Sequence, residues 1–255
     1  MPLATLTTDC GSSGHFPAAL KGRLLGLIKD ITLVDITHEV APGDTIAAAY
    51  EARAAAKYFP DGSVHLIMAG AYRGRPRPIC LRMDDRFFLV PDNGLPTLLF
   101  PSERFEAYTV DDLDQPGQAD WIEAFARLTA VVLSGDLSSL RETGSYQKAK
   151  HLSPISMPDA IRGSVFYTTE TGNLVVNVRR DQFDELVGEG RRFVIQYGTY
   201  HSDELFADHR QVSEGEVACF FNDEGFLEIG LHGGSARDLL GFDRGSSILI
   251  ERRSI

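Results

Sequence analysis

"TTDCGSSGHFPAALKG", residues 7–22, closes a short apolar run on an aspartate, crosses a loop of small residues and meets a proline just before a helix-like pattern. This layout predicts a strand, a loop and a helix, with the carboxylate of Asp9 at the C-terminal end of the strand. In open α/β sheets that edge is where ligands bind. A carboxylate so placed can accept two hydrogen bonds from a ribose diol. The competing reading is that Asp9 caps the turn or helix that follows, since aspartate is a favoured capping residue. Neither a GxGxxG nor a P-loop pattern is present, so the loop does not point to pyrophosphate.

Working outward, Pro17 reads as a first helical residue, with Leu20, Leu24, Leu27 and Ile28 behind it at helical spacing. "TLVDI" supplies a second strand, "DTIAAAYEARAAAKYF" a second helix and "SVHLIMAG" a third strand. "PICLRM" and "RFFLVP" read as an antiparallel pair joined by a tight turn at Asp84–Asp85. The alternation predicts an α/β domain with a mostly parallel sheet over residues 1–150. The polar stretch "SYQKAKHLSPISMP" reads as a linker. Beyond it, "GSVFYT", "NLVVNV", "RRFVIQYG", "EVACFFN", "FLEIGLH" and "SSILIER", with an "NDEG" turn at 222–225, predict an all-β barrel domain over 158–255.

Composition narrows the classes of function. The chain has 255 residues, of which 43% are apolar, enough for a large core or two modest ones. Its 25 basic and 36 acidic residues give a net charge of −11, which argues against nucleic acid or an anionic membrane face as partner. No apolar run approaches the roughly 20 residues of a spanning helix, and "MPLATLTTDC" lacks the basic start of a signal peptide, so the cytoplasm is the expected location. Cys10, Cys80 and Cys219 form no CxxC pair and suggest neither a disulfide framework nor a zinc ribbon. "YHSDELFADHR" gathers His201, Asp203, Asp208 and His209, but the spacing fits neither HExxH nor a zinc finger, so no metal is expected. Trp121, Phe125 and Leu128 fall at helical spacing and read as a core stripe.

Taken together, "LTTDCGSSGHFPAALKGRL", "ITLVDITHEVAPGDTIAAAY", "YFPDGSVHLI", "VPDNGLPTLL", "GNLVVNV" and "NDEGFLEIGLHGGSARDLLGF" resemble, in order and spacing, the S-adenosylmethionine hydroxide adenosyltransferase family, relatives of the fluorinases and chlorinases. The resemblance covers nearly the whole chain. It implies an α/β domain followed by a β-barrel, a homotrimer with ligand sites where one subunit's first domain meets a neighbour's second, and no cofactor beyond S-adenosylmethionine as substrate or ligand. It also implies displacement of methionine from C5′ by water, giving adenosine and L-methionine, with an Asp-Arg-His set activating the water. Asp9 takes the ribose-binding position of the family's "TTDFG" block, and Asn173 the asparagine of its "FGN" block. The segments around Asn222–Gly225 and around Gly233, Ser235 and Ala236 take the place that cups adenine. Asp35, His38 and Asp44 also match, with His38 expected as a structural partner at a strand end, and Asp92, Asn93 and Gly94 as a turn.

Several positions depart from that pattern. Gly14-His15-Phe16 stands where the family has "DxY", Gly70 replaces the aspartate of the Asp-Arg-His set, "DWIEAFAR" at 120–127 lacks its histidine, and Thr169 replaces a barrel aspartate. Arg77 takes the arginine position, with Arg75 as a rival one gap away, and His15 is the candidate replacement base. Tyr72 is a further residue within reach of the site. Arg73, Arg75 and Arg77 gather three guanidinium groups where acids are lost. Opposed charges about 4 Å apart are worth roughly 4 kcal/mol at an effective dielectric near 20. The change therefore predicts either a solvated rim or a site preferring a neutral or anionic 5′ substituent. A catalytically silent adenosine or nucleotide binder is the alternative to the hydrolase.

Overall fold

The computed structural model describes residues 1–71, 76–101, 104–110, 121–149, 153–188 and 192–253. Tyr72, Arg73, Arg75 and Asp120 lie outside the described residues. The chain divides into two compact units, Met1–His151 and Leu152–Ile255.

In the first unit the elements run β1 (Leu3–Thr8), α1 (His15–Leu27), β2 (Thr32–Thr37), α2 (Thr45–Ala56), β3 (Val64–Met68), β4 (Pro78–Met83), β5 (Arg86–Pro91), α3 (Leu95–Leu99), β6 (Glu106–Val110), α4 (Trp121–Ser134) and β7 (Leu140–Glu142). They form a seven-stranded sheet in the order β2-β1-β3-β5-β4-β6-β7. The pairings from β2 to β5 are parallel and the remainder antiparallel. Alternation along each strand loads both faces. Ala4, Leu6, Leu66 and Met68 pack in one core with Leu20 and Leu24 of α1 and Phe125 and Leu128 of α4. Ile67, Phe88 and Val90 pack in a second core with Ala48, Ala49 and Ala52 of α2 and Leu95 and Leu99 of α3. Helices on both faces of a mixed sheet, parallel from β2 through β1 and β3 to β5, make this an α/β unit.

Two local readings change. α1 starts at His15 with Gly14 as its cap, so Pro17 is the third helical residue and not the first. The ring is tolerated there because first-turn N–H groups have no intrahelical acceptor. Leu27 is 38% exposed, so the buried stripe of α1 is narrower than its leucine spacing suggests. The expected stripe on α4 holds: Phe125 and Leu128 are buried, and Trp121 stacks on Phe125 at 5.0 Å.

The second unit runs β8 (Ile155–Met157), β9 (Ala160–Thr168), β10 (Leu174–Arg179), α5 (Arg180–Val187), β11 (Arg192–Tyr197), β12 (Tyr200–Ser202), β13 (Val217–Phe221), β14 (Phe226–Leu231), α6 (Ala236–Leu240) and β15 (Ser247–Arg253). The order is β12-β11-β15-β9-β10-β14-β13, with β8 also on β9, and every strand pairing is antiparallel. The sheet curls into a near-closed barrel: the segment after β12 returns to β13 at the other end of this order, where Phe206 N donates to Cys219 O at 2.9 Å. Val165, Leu174, Val176, Leu227, Ile229, Ile248 and Ile250 fill its core. β8 falls within the stretch read as linker, and Pro158 occupies the turn to β9, where no ladder N–H is needed. Among the described residues no helix is long and apolar enough to cross a membrane.

Candidate functional site

Because β2, β1, β3 and β5 run parallel, the loops that leave them begin on one edge of the sheet, at His38, Asp9, Ala69 and Asp92. Asp9 does not cap α1, whose cap Gly14 makes no side-chain bond. Its Oδ2 instead accepts the backbone N–H groups of Gly43 and Gly70, each at 2.8 Å. Those glycines have φ of 81° and 67°, the left-handed backbone that turns both N–H groups inward. Asp9 Oδ1 is buried and has no hydrogen-bond partner among the described residues. An unmet buried acceptor of this kind costs about 1–3 kcal/mol, a cost that a ligand hydroxyl would remove.

Gly70 is held as firmly as it holds. A Cβ there would sit 2.9 Å from Asn93 Nδ2, which donates to Ala69 O at 2.9 Å. Asn93 thus ties the loop after β5 to the loop after β3, and Asp9 ties the latter to Gly43.

Beneath the edge lies a supporting chain. Thr8 Oγ1 bonds His38 Nδ1 at 2.9 Å and Cys10 Sγ at 2.8 Å. His38 Nε2 lies 3.2 Å from Asp35 Oδ1, off the line for a hydrogen bond, while Lys21 Nζ donates to Asp35 Oδ2 at 2.5 Å. Burial raises the Asp35 pKa, but the Lys21 bond and the His38 charge outweigh it and hold the carboxyl below its usual range. His38 is 7% exposed and works as a structural partner of β1. Burial pushes the Cys10 thiol up, so it stays protonated at neutral pH. Asp44 caps α2 by accepting from Ala47 N at 3.0 Å.

Arg77 stands at the start of β4, on the same edge. Its Nε donates to Asp92 Oδ2 at 3.1 Å, and its guanidinium also reaches the Ser145 carbonyl. Asp92 Oδ1 accepts Gln147 N at 2.6 Å, so the pair fastens the segment after β7 to the edge. Gly94 has φ of 99° and opens α3 from the turn expected at Asp92–Gly94. His15 is exposed at the first turn of α1.

In the barrel, Asn173 and Asn222 converge on a residue that the sequence reading did not single out. Asn173 Nδ2 donates to Glu228 Oε1 and Asn222 Nδ2 to Glu228 Oε2, both at 2.8 Å, and Glu228 is buried. The signal was present as one acid inside the apolar strand "FLEIGL". Gly172, next to Asn173, lies against Ser235: a Cβ at Gly172 would meet Ser235 Oγ at 2.2 Å. Asn173 therefore stands between the Asn222 turn and the Gly233–Ala236 segment, which lie beyond opposite ends of β14. Ser235 caps α6 through Asp238 N at 3.2 Å, and the Ala236 side chain is in the core, which leaves its main chain for any ligand. Gly233 has φ of 77°.

The His201–His209 stretch does not assemble a metal site. Asp208 instead accepts Arg210 N at 2.7 Å, opening a short turn at His209–Gln211. Among the described residues no group of three or more His, Cys, Asp or Glu side chains could hold a metal ion.

The N-terminal domain model of the SAM hydroxide adenosyltransferases matches residues 4–137, and the C-terminal domain model of the same family matches residues 163–249. The chain belongs to that family. It is 26% identical over 252 residues to an (R)-S-adenosyl-L-methionine hydrolase of Methanocaldococcus jannaschii, covering 95% of this chain and 93% of that protein. A hydrolase of the same description from Thermus thermophilus is 25% identical, covering 94% and 96%. A fluorinase of Actinopolyspora mzabensis is 21% identical, covering 98% and 97%. Among solved structures, an uncharacterized conserved protein of Thermotoga maritima superposes with a TM-score of 0.83 at 23% identity, over 98% of this chain and 100% of that one, a likeness of fold.

Proposed function

We propose that this protein binds an adenosyl ligand, with Asp9 accepting the ribose hydroxyls, and hydrolyses S-adenosyl-L-methionine to adenosine and L-methionine. The observation that carries the reading is the buried, unpartnered Oδ1 of Asp9 beside an Oδ2 already satisfied by two glycine N–H groups. Asn173, Asn222 and the main chain at Gly233, Ser235 and Ala236 take the base from the barrel of a neighbouring copy in a homotrimer. A sulfonium is a good leaving group, so what the protein supplies is alignment of water with the C5′–S bond in a site closed to bulk solvent. The water oxygen bonds to C5′, the C5′–S bond breaks with its electron pair going to sulfur, and His15 takes the proton. Arg77, oriented by Asp92, fixes the water.

A second reading has its own support. Gly70 brings no carboxylate, and Arg77 is engaged by Asp92 and Ser145, which suits a nucleotide binder that has lost the chemistry. Incubation with S-adenosyl-L-methionine, followed by chromatography for adenosine and methionine, separates the two. Equimolar release of both supports the hydrolase; adenosine binding by calorimetry without turnover supports the binder. Failure to bind adenosine, AMP or S-adenosyl-L-methionine removes both.

A further inference from the structure

The two asparagines of the barrel reach one buried carboxylate from two sides. Glu228 is 6% exposed, and each of its oxygens accepts one carboxamide N–H at 2.8 Å. Both Glu228 oxygens accept, so each carboxamide has its nitrogen turned toward Glu228 and its oxygen turned away. For Asn222 that oxygen is consumed locally, by Glu224 N at 3.1 Å and Phe226 N at 3.0 Å. Asn173 differs. Its backbone is committed to Thr169, its Nδ2 to Glu228, and no described residue donates to its Oδ1.

Gly230 gives this side chain its room. Asn173 precedes Leu174, which pairs with Ile229, so it lies beside Gly230 on the neighbouring strand. A Cβ on Gly230 would fall 3.0 Å from Asn173 Oδ1 and 2.9 Å from His209 Cβ. The free edge of Asn173 thus carries an acceptor, Oδ1, beside the second N–H of Nδ2, in an order that Glu228 sets.

We propose that Glu228 is a positioning residue that determines purine specificity: by locking the carboxamide of Asn173 it makes the site select a 6-amino over a 6-oxo purine nucleoside. This rests on the adenosyl reading above. Adenine presents an N6–H donor next to the N7 acceptor, the complement of a carboxamide edge. Hypoxanthine and guanine present two acceptors, O6 and N7. Only reversal of the amide would bring its N–H to O6, and reversal sets Oδ1 against Glu228 Oε1, acceptor against acceptor.

The test compares adenosine and inosine affinities by calorimetry for the parent protein and for Glu228→Gln. Glutamine keeps its Oε1 for Asn222 Nδ2, whose carboxamide cannot turn, and so presents its Nε2 to Asn173, which releases the lock and favours the reversed carboxamide. The parent is expected to favour adenosine by about tenfold or more, and Glu228→Gln to reduce the ratio to about threefold or less through tighter inosine binding. A merely structural role weakens both nucleosides together; an unchanged ratio in Glu228→Gln therefore overturns the proposal. Should that variant not fold, Asn173→Ser reads the same ratio: a fall toward parity supports the proposal, and an unchanged preference overturns it. If the parent binds adenosine and inosine equally, the specificity proposal fails and the adenosyl reading stands. If it binds neither, both fail.

Discussion

Gly70 N–H and Asp9 Oδ2 meet at 2.8 Å across 61 residues of chain, so the loop after β3 donates a backbone hydrogen bond to the carboxylate that ends β1. The glycine fixes the carboxylate through its main chain and leaves the other carboxylate oxygen for a ligand. Asp9→Asn should keep one carbonyl oxygen for Gly43 and Gly70 while placing an NH₂ where Oδ1 lies. Adenosine affinity should fall by at least about tenfold, the scale of one hydrogen bond to a charged group. Calorimetry with adenosine and 2′-deoxyadenosine checks this: the parent should discriminate between them and the variant should not.

Placing an acid at this position by Gly70→Asp should destabilise the loop and should not speed adenosine release. At φ of 67° a side chain costs about 1–2 kcal/mol, and its Cβ would press on Asn93 Nδ2 at 2.9 Å. Urea unfolding should show a loss of about that size. A variant as stable as the parent, with faster adenosine release, would overturn this account of the loop.

Arg77→Ala should abolish adenosine release from S-adenosyl-L-methionine while leaving adenosine affinity within about threefold, because it removes the group proposed to fix water and not the ribose contact. It also strips Asp92, whose side chain is only 10% exposed, of its cation, and stability should fall by about 1–3 kcal/mol. Paired measurement of turnover and binding decides it; unaffected turnover removes Arg77 from the mechanism.

His65 makes stability depend on pH. It is buried in β3 with Nδ1 bonded to Thr5 Oγ1 at 2.8 Å, and Phe59 and Phe88 lie against its ring. Burial, helped by the charge of Arg86, lowers its pKa from 6.5 to about 4. The unfolded chain therefore binds the extra proton first, and His65's contribution is complete above pH 6.5 and lost as pH falls toward 4. Denaturant unfolding across that window should show a decline of up to about 3 kcal/mol from this group. In His65→Gln that part of the slope should vanish; persistence of the full slope assigns it to other groups.

Much of the fold was legible because its signals are local. β4 and β5 lie where "PICLRM" and "RFFLVP" place them, since alternating apolar residues around the Asp84–Asp85 turn leave one register that buries Ile79, Leu81, Phe88 and Val90. The short edge strand β7 and the hairpin strand β8 went unread, because three-residue strands carry too few alternations to stand out from loop. Of the candidate site residues, Asp9 was read from its place after an apolar strand. Glu228 was missed, because an acid inside a strand declares nothing until its partners are known.

By itself the sequence determined an α/β fold followed by an all-β one, and the carboxylate after the first strand, through hydrophobic periodicity and turn residues that act over a few positions. Tertiary structure alone decided which groups Asp9 and Glu228 hold. Gly43 and Gly70 meet Asp9 across 34 and 61 residues, and Asn173 meets Glu228 across 55. Such bonds depend on where distant loops come to rest on the finished sheet, and hydrogen-bond direction is fixed only when donor and acceptor are already in place.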